Sequence, residues 1–396
     1  MGACSPSPRS TSSSPHPPGR RLQSSQATLP AGILCAEDYE SLAAQALAAP
    51  TLAYVAGGSE RGLALARNRA AFDVHAIWPR VLGDVTHGHT RTRLAGREFA
   101  HPILLAPVAF QALLHPDAEV AAAQGAAAAD SGIVLSTLSS LSLEAVAAAA
   151  GPERWFQLYF QADRHATHDL VARAAAAGYR ALVVTVDAPL QAASHHALRA
   201  GFRMPSGQVA ANLVRYAPPA IAEGMPADRR ILQGLMRAAP TWRDLEWLQA
   251  HCPLPVWIKG VLHPGDAQRL AAMGVAGLVV SNHGGRGLDD APASLAALPA
   301  LRAAVPRPFA LILDGGIRRG ADVFKALALG ADAVLVGRLQ AYALAVAGAL
   351  GVAHMLRLLR EELEVCMALA GCATLPDITA QALAPVRTAG WGGVAP

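Results

Sequence analysis

Short apolar runs recur along the chain at Ile103 to Ala106, Ile133 to Leu135, Trp155 to Phe160, Ala181 to Val186, Val256 to Ile258, Leu278 to Val280, Phe309 to Leu313 and Ala333 to Val336. Each stops at a polar or glycine-bearing cluster, which is the pattern of a buried parallel strand running into a loop. Stretches with helical spacing lie between them, at Ala118 to Ala129, Leu143 to Ala150, His168 to Ala177, Pro264 to Ala272 and Ala321 to Leu329, with Leu339 to Ala370 after the last run. Eight strands, each followed by a helix, predict a closed (β/α)8 TIM barrel, with an open doubly wound sheet as the second arrangement. The connection from Asp187 to Pro255 is far longer than one helix needs and predicts a lid loop over Phe202 to Thr241. Ahead of the first strand, Tyr39, Leu42, Ala43 and Leu47 share one helical face until Pro50 interrupts, and a second helix carries Leu52, Tyr54 and Val55 up to Gly57-Gly58. From Trp78-Pro79-Arg80 to Arg97 the chain reads as an irregular approach with short strands.

Residues 1 to 30 are rich in Ser, Pro and Arg and contain no acidic residue and no apolar period. Ordering them would cost entropy without burying a core, so a disordered tail is predicted ahead of one barrel domain over 31–396. Arg20-Arg21 is followed by no apolar segment of the kind an export signal needs, and Pro6 stands where N-myristoylation wants Ser or Thr. With 53% hydrophobic against 16% charged residues, the chain can bury a sizeable core. Its formal net charge of +4 rests almost wholly on arginine, because Lys259 and Lys325 are the only lysines. No basic block or interleaved aromatic stripe accompanies that charge, which argues against nucleic acid and for a small anionic ligand. The five cysteines are scattered and show no C-x-x-C spacing, so reduced thiols and a cytoplasmic location are predicted. The longest apolar stretch, Ala341 to Ala353, falls short of the roughly 20 residues that span a bilayer, and no transmembrane helix is predicted.

A barrel of this kind carries its chemistry at the C-terminal ends of its strands. Those positions hold Pro107, Val108 and Ala109, Ser136, Gln157 and Tyr159, Thr185 and Asp187, Lys259, Ser281 with His283 and Arg286, Asp314, Gly315 and Gly316 with Arg318, and Gly337-Arg338. Gln157 and Tyr159 are two apart and point to the same side, as do Thr185 and Asp187. In Ser281-Asn282-His283-Gly284-Gly285-Arg286 a histidine able to carry a proton stands three residues before an arginine able to grip a carboxylate. Read alone, the loop fits either a base beside an anion clamp or a satisfied histidine and a solvated arginine in a turn. The glycines of the last two loops let backbone N–H groups approach a phosphate. Lys259, at the end of its strand, points into the barrel mouth, where a buried ammonium needs a partner gaining negative charge, unless it snorkels to the surface.

These residues resemble the FMN-dependent 2-hydroxy acid oxidase and dehydrogenase family, which includes glycolate oxidase, lactate oxidase, mandelate dehydrogenase and the flavin domain of flavocytochrome b2. The likeness spans Ala36 to Ile378 and rests on Phe156-Gln157-Leu158-Tyr159, Thr185-Val186-Asp187, Ile258-Lys259-Gly260, the His283 loop, Leu313-Asp314-Gly315-Gly316-Ile317-Arg318-Arg319-Gly320 and Val336-Gly337-Arg338. It implies that FMN lies across the barrel mouth. Gly316, Arg318, Gly337 and Arg338 would hold its phosphate and Asp314 its ribityl chain. Pro107 to Ala109, Ser136, Gln157 and Thr185 would meet the ring, and Lys259 would face the part that gains charge on reduction. His283 would be the base, oriented by Asp187, while Tyr54, Tyr159 and Arg286 would bind the substrate.

The chain departs from this pattern where most members carry a further arginine, for Ser194 stands there. Either Arg286 holds the carboxylate alone, helped by His195 or Arg199, or the substrate is larger or less anionic than a simple 2-hydroxy acid. Leu138 replaces an aromatic of some relatives, leaving room near the ring. No haem domain precedes the barrel and the lid has no long apolar insert, so O2 is the expected acceptor, with a quinone or other soluble acceptor as the alternative. Rival readings are a flavin enzyme for another substrate class and a flavin- or phosphate-binding module without turnover. The family further implies a homotetramer.

Overall fold

The apolar runs fold into eight parallel strands that close on themselves: β1 (Ile103–Leu105), β2 (Ile133–Ser136), β3 (Arg154–Leu158), β4 (Leu182–Thr185), β5 (Val256–Val261), β6 (Gly277–Val280), β7 (Ala310–Asp314) and β8 (Ala333–Val336). Closure comes from β8 pairing with β1, Leu335 opposite Leu104. The open-sheet alternative is therefore excluded. This computed structural model describes residues 28–94, 96–190, 192–217 and 230–386. The predicted tail, up to residue 27, and the centre of the predicted lid lie outside the described residues.

Successive side chains of a strand face opposite ways, and the two parities build two cores. Leu104, Val134, Trp155, Val183, Trp257, Val279, Ile312 and Leu335 fill the barrel interior. Ile103, Ile133, Phe156, Leu182, Ile258, Leu278, Leu311 and Val334 face outward into the helical shell. Trp155 and Trp257 lie 4.9 Å apart in the interior, and Phe99 meets Trp155 edge-on at 6.2 Å. Gly277 opens β6 because a Cβ there would come within 2.6 Å of the Trp257 ring. The irregular approach supplies the floor: an antiparallel hairpin of Thr92–Leu94 and Arg97–Phe99 inserts Leu94 and Phe99 under the barrel.

Three helices precede the barrel, α1 (Asp38–Ala46), α2 (Ala49–Ala56) and α3 (Leu63–Asp73). Pro50 proves to lie in the first turn of α2, where its missing N–H costs nothing, rather than between helices. Next come α4 (Ala118–Ala128), α5 (Leu143–Ala149) and α6 (Arg164–Ala176); α7 (His195–Arg199) and α8 (Trp242–His251) both lie between β4 and β5. The shell is completed by α9 (Pro264–Ala272), α10 (Ser294–Ala304), α11 (Gly320–Ala328) and α12 (Arg338–Ala370). Among the described residues α12 alone is long and apolar enough to cross a bilayer. It is instead a shell helix packed on α1, α4 and α11, and it kinks at Ala347-Gly348.

The inward parity also explains where the polar groups go. Two residues beyond each interior side chain it yields Ser136 after Val134, Gln157 and then Tyr159 after Trp155, and Thr185 and then Asp187 after Val183. Lys259 likewise follows Trp257, Ser281 follows Val279 and Asp314 follows Ile312. One face of the barrel thus changes from apolar floor to polar mouth.

Candidate active site

The mouth opens into a cavity of about 1020 Å3, at the upper end of the range for small-molecule sites. Its polar wall holds Ser136, Gln157, Tyr159, Thr185, Lys259, His283, Arg286, Asp314, Arg318 and Arg338, with Tyr54 reaching in from α2. The loops Pro107 to Ala109, Gly315-Gly316 and Gly337 complete the lining, and Leu113, Leu114, Leu138, Leu213 and Leu235 form an apolar side. Of the residues singled out from sequence, Ser194, His195 and Arg199 do not line the cavity, while Asp187 and Ser281 stand behind residues that do.

His283 adopts a φ of +60°, a left-handed conformation that histidine tolerates better than most side chains. Its surroundings hold it there. Its N–H donates to Ser281 Oγ at 2.9 Å. The neighbouring Asn282 exchanges amide hydrogen bonds with Asn68 of α3 at 2.8 and 2.9 Å and donates its backbone N–H to Ser294 Oγ at 3.0 Å. Farther along the same loop, Asp289 accepts the Arg61 and Ala64 N–H groups at the start of α3.

Asp187 Oδ1 lies 2.8 Å from His283 Nδ1. Burial alone would raise the Asp187 pKa, but Lys259 and His283 outweigh it and hold the carboxyl below its ordinary value. An ionised Asp187 only accepts, so Nδ1 carries the imidazole proton and Nε2 is left with a lone pair. The Tyr159 hydroxyl stands 3.3 Å from Nε2. Burial pushes its pKa up to about 12, so at neutral pH it remains a donor. Asp187, His283 and Tyr159 therefore form a relay ending in the cavity.

Gly260 makes room for that relay. Its φ is +105°, and a Cβ there would lie 2.8 Å from Asp187 Oδ1 and closer still to the carboxyl carbon. Gly260→Ala should displace Asp187 from His283 and lower kcat by about 10²-fold, the cost of roughly 1 Å of misplacement. Turnover per bound flavin measures this, and an unchanged rate would show that Asp187 has slack.

Lys259 is 5% exposed at its side chain and bonds Asp314 Oδ2 and Ser281 Oγ, each at 2.9 Å. Burial would lower its pKa, yet Asp314 and Asp187 outweigh that and keep it raised. The snorkelling alternative is excluded. Ser281 serves this lysine and the His283 backbone rather than facing the cavity.

Three arginines crowd the remaining wall. Arg286 donates through Nη1 to Tyr54 O at 2.9 Å and Gly57 O at 3.0 Å, while its Nη2 bonds none of the described residues. Arg338 spends its donors on the carbonyls of Val55, Gly284 and Gly57. Burial, with Arg286 and Arg318 adding repulsion, pushes its pKa down to about 9. Arg318 meets Glu40 at 2.9 Å. This wall is short of negative charge, and α12 begins beside it at Gly337 with the positive end of its dipole facing the same space. Buried Gln157 Nε2, Thr185 Oγ1 and Asp314 Oδ1 have no hydrogen-bond partner among the described residues. Such atoms are costly unless something polar meets them. The arrangement suits a flat ligand with a hydrogen-bonding edge and a doubly anionic tail.

Sequence reading missed several supports. Asn68 is 214 residues from its partner Asn282 and carries no local signal. Buried Glu119 accepts N–H groups from Gln111, Ser140 and Leu141, tying together the loops after β1 and β2, and burial pushes its carboxyl up. Ser194 does not line the cavity: it caps α7, accepting the Ala197 N–H at 3.3 Å.

The family described as FMN-dependent dehydrogenase matches residues 43–385. An L-lactate oxidase from Alicycliphilus denitrificans is 62% identical over 357 residues, which is 90% of this chain and 98% of that protein. Glycolate oxidase 1 from Zea mays is 39% identical, covering 86% and 93%. The crystal structure of mandelate oxidase with (S)-2-phenylpropionate aligns with a TM-score of 0.80 at 40% identity, covering 89% and 98%.

Proposed function

The chain belongs to the FMN-dependent dehydrogenase family, and from that premise we propose how its own residues act and that its substrate is L-lactate. It is an FMN-dependent oxidase that converts a 2-hydroxy acid to a 2-oxo acid with O2 as acceptor. FMN suits the cavity. Gln157 and Thr185 would meet the ring edge, Asp314 the ribityl hydroxyls, and Gly316, Arg318 and the α12 N-terminus the phosphate. When bound, FMN would supply the two-electron redox chemistry between the substrate and O2.

The protein's part is proton handling and positioning. Arg286 holds the substrate carboxylate through the Nη2 it leaves free, and the Tyr54 and Tyr159 hydroxyls orient the rest. His283 Nε2 accepts the substrate proton as the C2 centre is oxidised. Asp187, already on Nδ1, stabilises the imidazolium that results. Lys259 supplies a fixed buried cation beside the reacting centre. The observation that carries this reading is the 2.8 Å Asp187–His283 pair, whose second ring nitrogen, met by the Tyr159 hydroxyl, faces the same cavity as Arg286.

L-lactate is favoured by relatives named L-lactate oxidase at 62%, 48% and 46% identity. Anaerobic mixing with L-lactate should bleach the flavin, and in air peroxide should form with higher kcat/KM than for D-lactate, glycolate or mandelate. Preference for a large or aromatic 2-hydroxy acid would refute lactate and favour the apolar wall as a side-chain pocket; a flavin that stays yellow with all of them would refute turnover.

We also infer a homo-oligomer. Trp78, Val81, Leu82 and Leu369 expose apolar surface, and the Arg80 N–H bonds Leu369 O, which places them on one patch. A reducing cytoplasm suits the free thiols of Cys35, Cys252, Cys366 and Cys372.

A further inference from the structure

Phe202 follows α7 in the long connection between β4 and β5, and the proposed chemistry makes no use of it. It follows Gly201, whose φ of +74° turns the chain at the end of α7, and its N–H donates to Ala197 O at 3.0 Å. That turn lays the Phe202 ring flat on Tyr54, with centroids 4.3 Å apart and planes 11° from parallel. The Arg286 guanidinium lies 4.9 Å from the Tyr54 centroid, and because Phe202 fills one face it takes the other. Tyr54 is the middle layer of three.

The stack is anchored at both ends. Two backbone bonds, Glu60 N–H to Ala193 O at 2.8 Å and His195 N–H to Glu60 O at 3.0 Å, join the loop after α2 to the start of α7. Gly57 lets the two segments touch, since a Cβ there would lie 2.8 Å from Ser194 Oγ. The Tyr54 hydroxyl itself bonds none of the described residues, so only the two faces of its ring restrain it. A half-buried tyrosine held that way would swing about its side-chain torsions once one face was bared, and a substrate would then have to order it on binding.

We propose that Phe202 is a positioning residue that sets substrate affinity, by clamping Tyr54 against Arg286 so that phenol and guanidinium form one rigid binding edge. This rests on the reading that Tyr54 contacts the substrate. An offset aromatic stack and the ordering of one side chain together correspond to about a tenfold change in binding. The test uses the FMN-loaded enzyme and L-lactate, comparing Phe202→Ala, Phe202→Tyr, Tyr54→Phe and the double variant Tyr54→Phe/Phe202→Ala.

Phe202→Ala should raise KM about tenfold, leave kcat within about twofold and leave flavin content unchanged, whereas Phe202→Tyr, which keeps the stack, should restore KM. In the Tyr54→Phe background the alanine change should add little, because the hydroxyl it positions is gone. If Tyr54→Phe raises KM while Phe202→Ala does not, the clamp is refuted and the role of Tyr54 stands. If Tyr54→Phe leaves KM untouched, the reading beneath the clamp fails. Loss of kcat and flavin together in Phe202→Ala, unrescued by tyrosine, would assign Phe202 a merely structural role.

Discussion

Replacing His283 by asparagine should leave FMN bound and slow flavin reduction by L-lactate by about two to four orders of magnitude, the usual contribution of a positioned general base. Asparagine is the informative choice because position 283 has a φ of +60°, which asparagine tolerates and alanine does not. The loop should therefore keep its hydrogen bonds to Ser281, Asn68 and Ser294, and the flavin wall should stay intact. What is lost is the nitrogen that accepts the proton, together with the imidazolium that Asp187 stabilises. Rapid mixing without oxygen, alongside the flavin absorbance of the purified variant, separates the two effects. A variant that retains flavin and is reduced at the wild-type rate would remove His283 from the chemistry.

Lys259→Met should have the largest effect on stability. The ammonium bonds Asp314 at 2.9 Å, with both groups nearly sealed from solvent, and its charge also acts on Asp187. Methionine fills most of the volume but leaves buried Asp314 without its cation and Asp187 with only its His283 hydrogen bond. Breaking a buried pair in this way costs about 3–5 kcal/mol of folding free energy. Denaturant unfolding of the variant measures it, and Lys259→Met/Asp314→Asn should recover part of the loss. The pH dependence follows from the two directions of shift. Asp187 titrates below its ordinary value near 3.8 and Lys259 above its ordinary value near 10.5. Their contribution is therefore whole between those two pH values. It is lost as pH falls through the folded Asp187 pKa or rises through the folded Lys259 pKa. Equal stability of Lys259→Met and the wild type would mean that the carboxylates take up protons at no cost.

Much of the site was legible because a barrel strand has only two faces. Once Trp155, Val183, Trp257 and Ile312 are read as interior, Gln157, Thr185, Lys259 and Asp314 must emerge at the mouth, whatever the distant parts of the chain do. Ser281 obeys the same parity, yet it is covered by Lys259, and parity does not say which of two stacked polar groups reaches the cavity. Pro50 was misjudged for a local reason, since a proline can start a helix as well as end one and only the flanking backbone distinguishes the two. Helix α3 and its Asn68 escaped because their partners lie more than two hundred residues downstream.

The sequence alone determined the eightfold strand–helix alternation, the polar ends of the strands and the His283–Arg286 loop, because these depend on residue type and on a side-chain period of two or 3.6, both local properties. Tertiary structure decided the rest. It decided that Asp187 and Tyr159 meet opposite nitrogens of His283, that Gly260 clears the space for this, that Phe202 lies on Tyr54, and that Arg338 spends its charge on backbone carbonyls. Each of these is a contact between segments far apart in the chain, fixed only when the barrel closes and the preceding helices dock across its mouth.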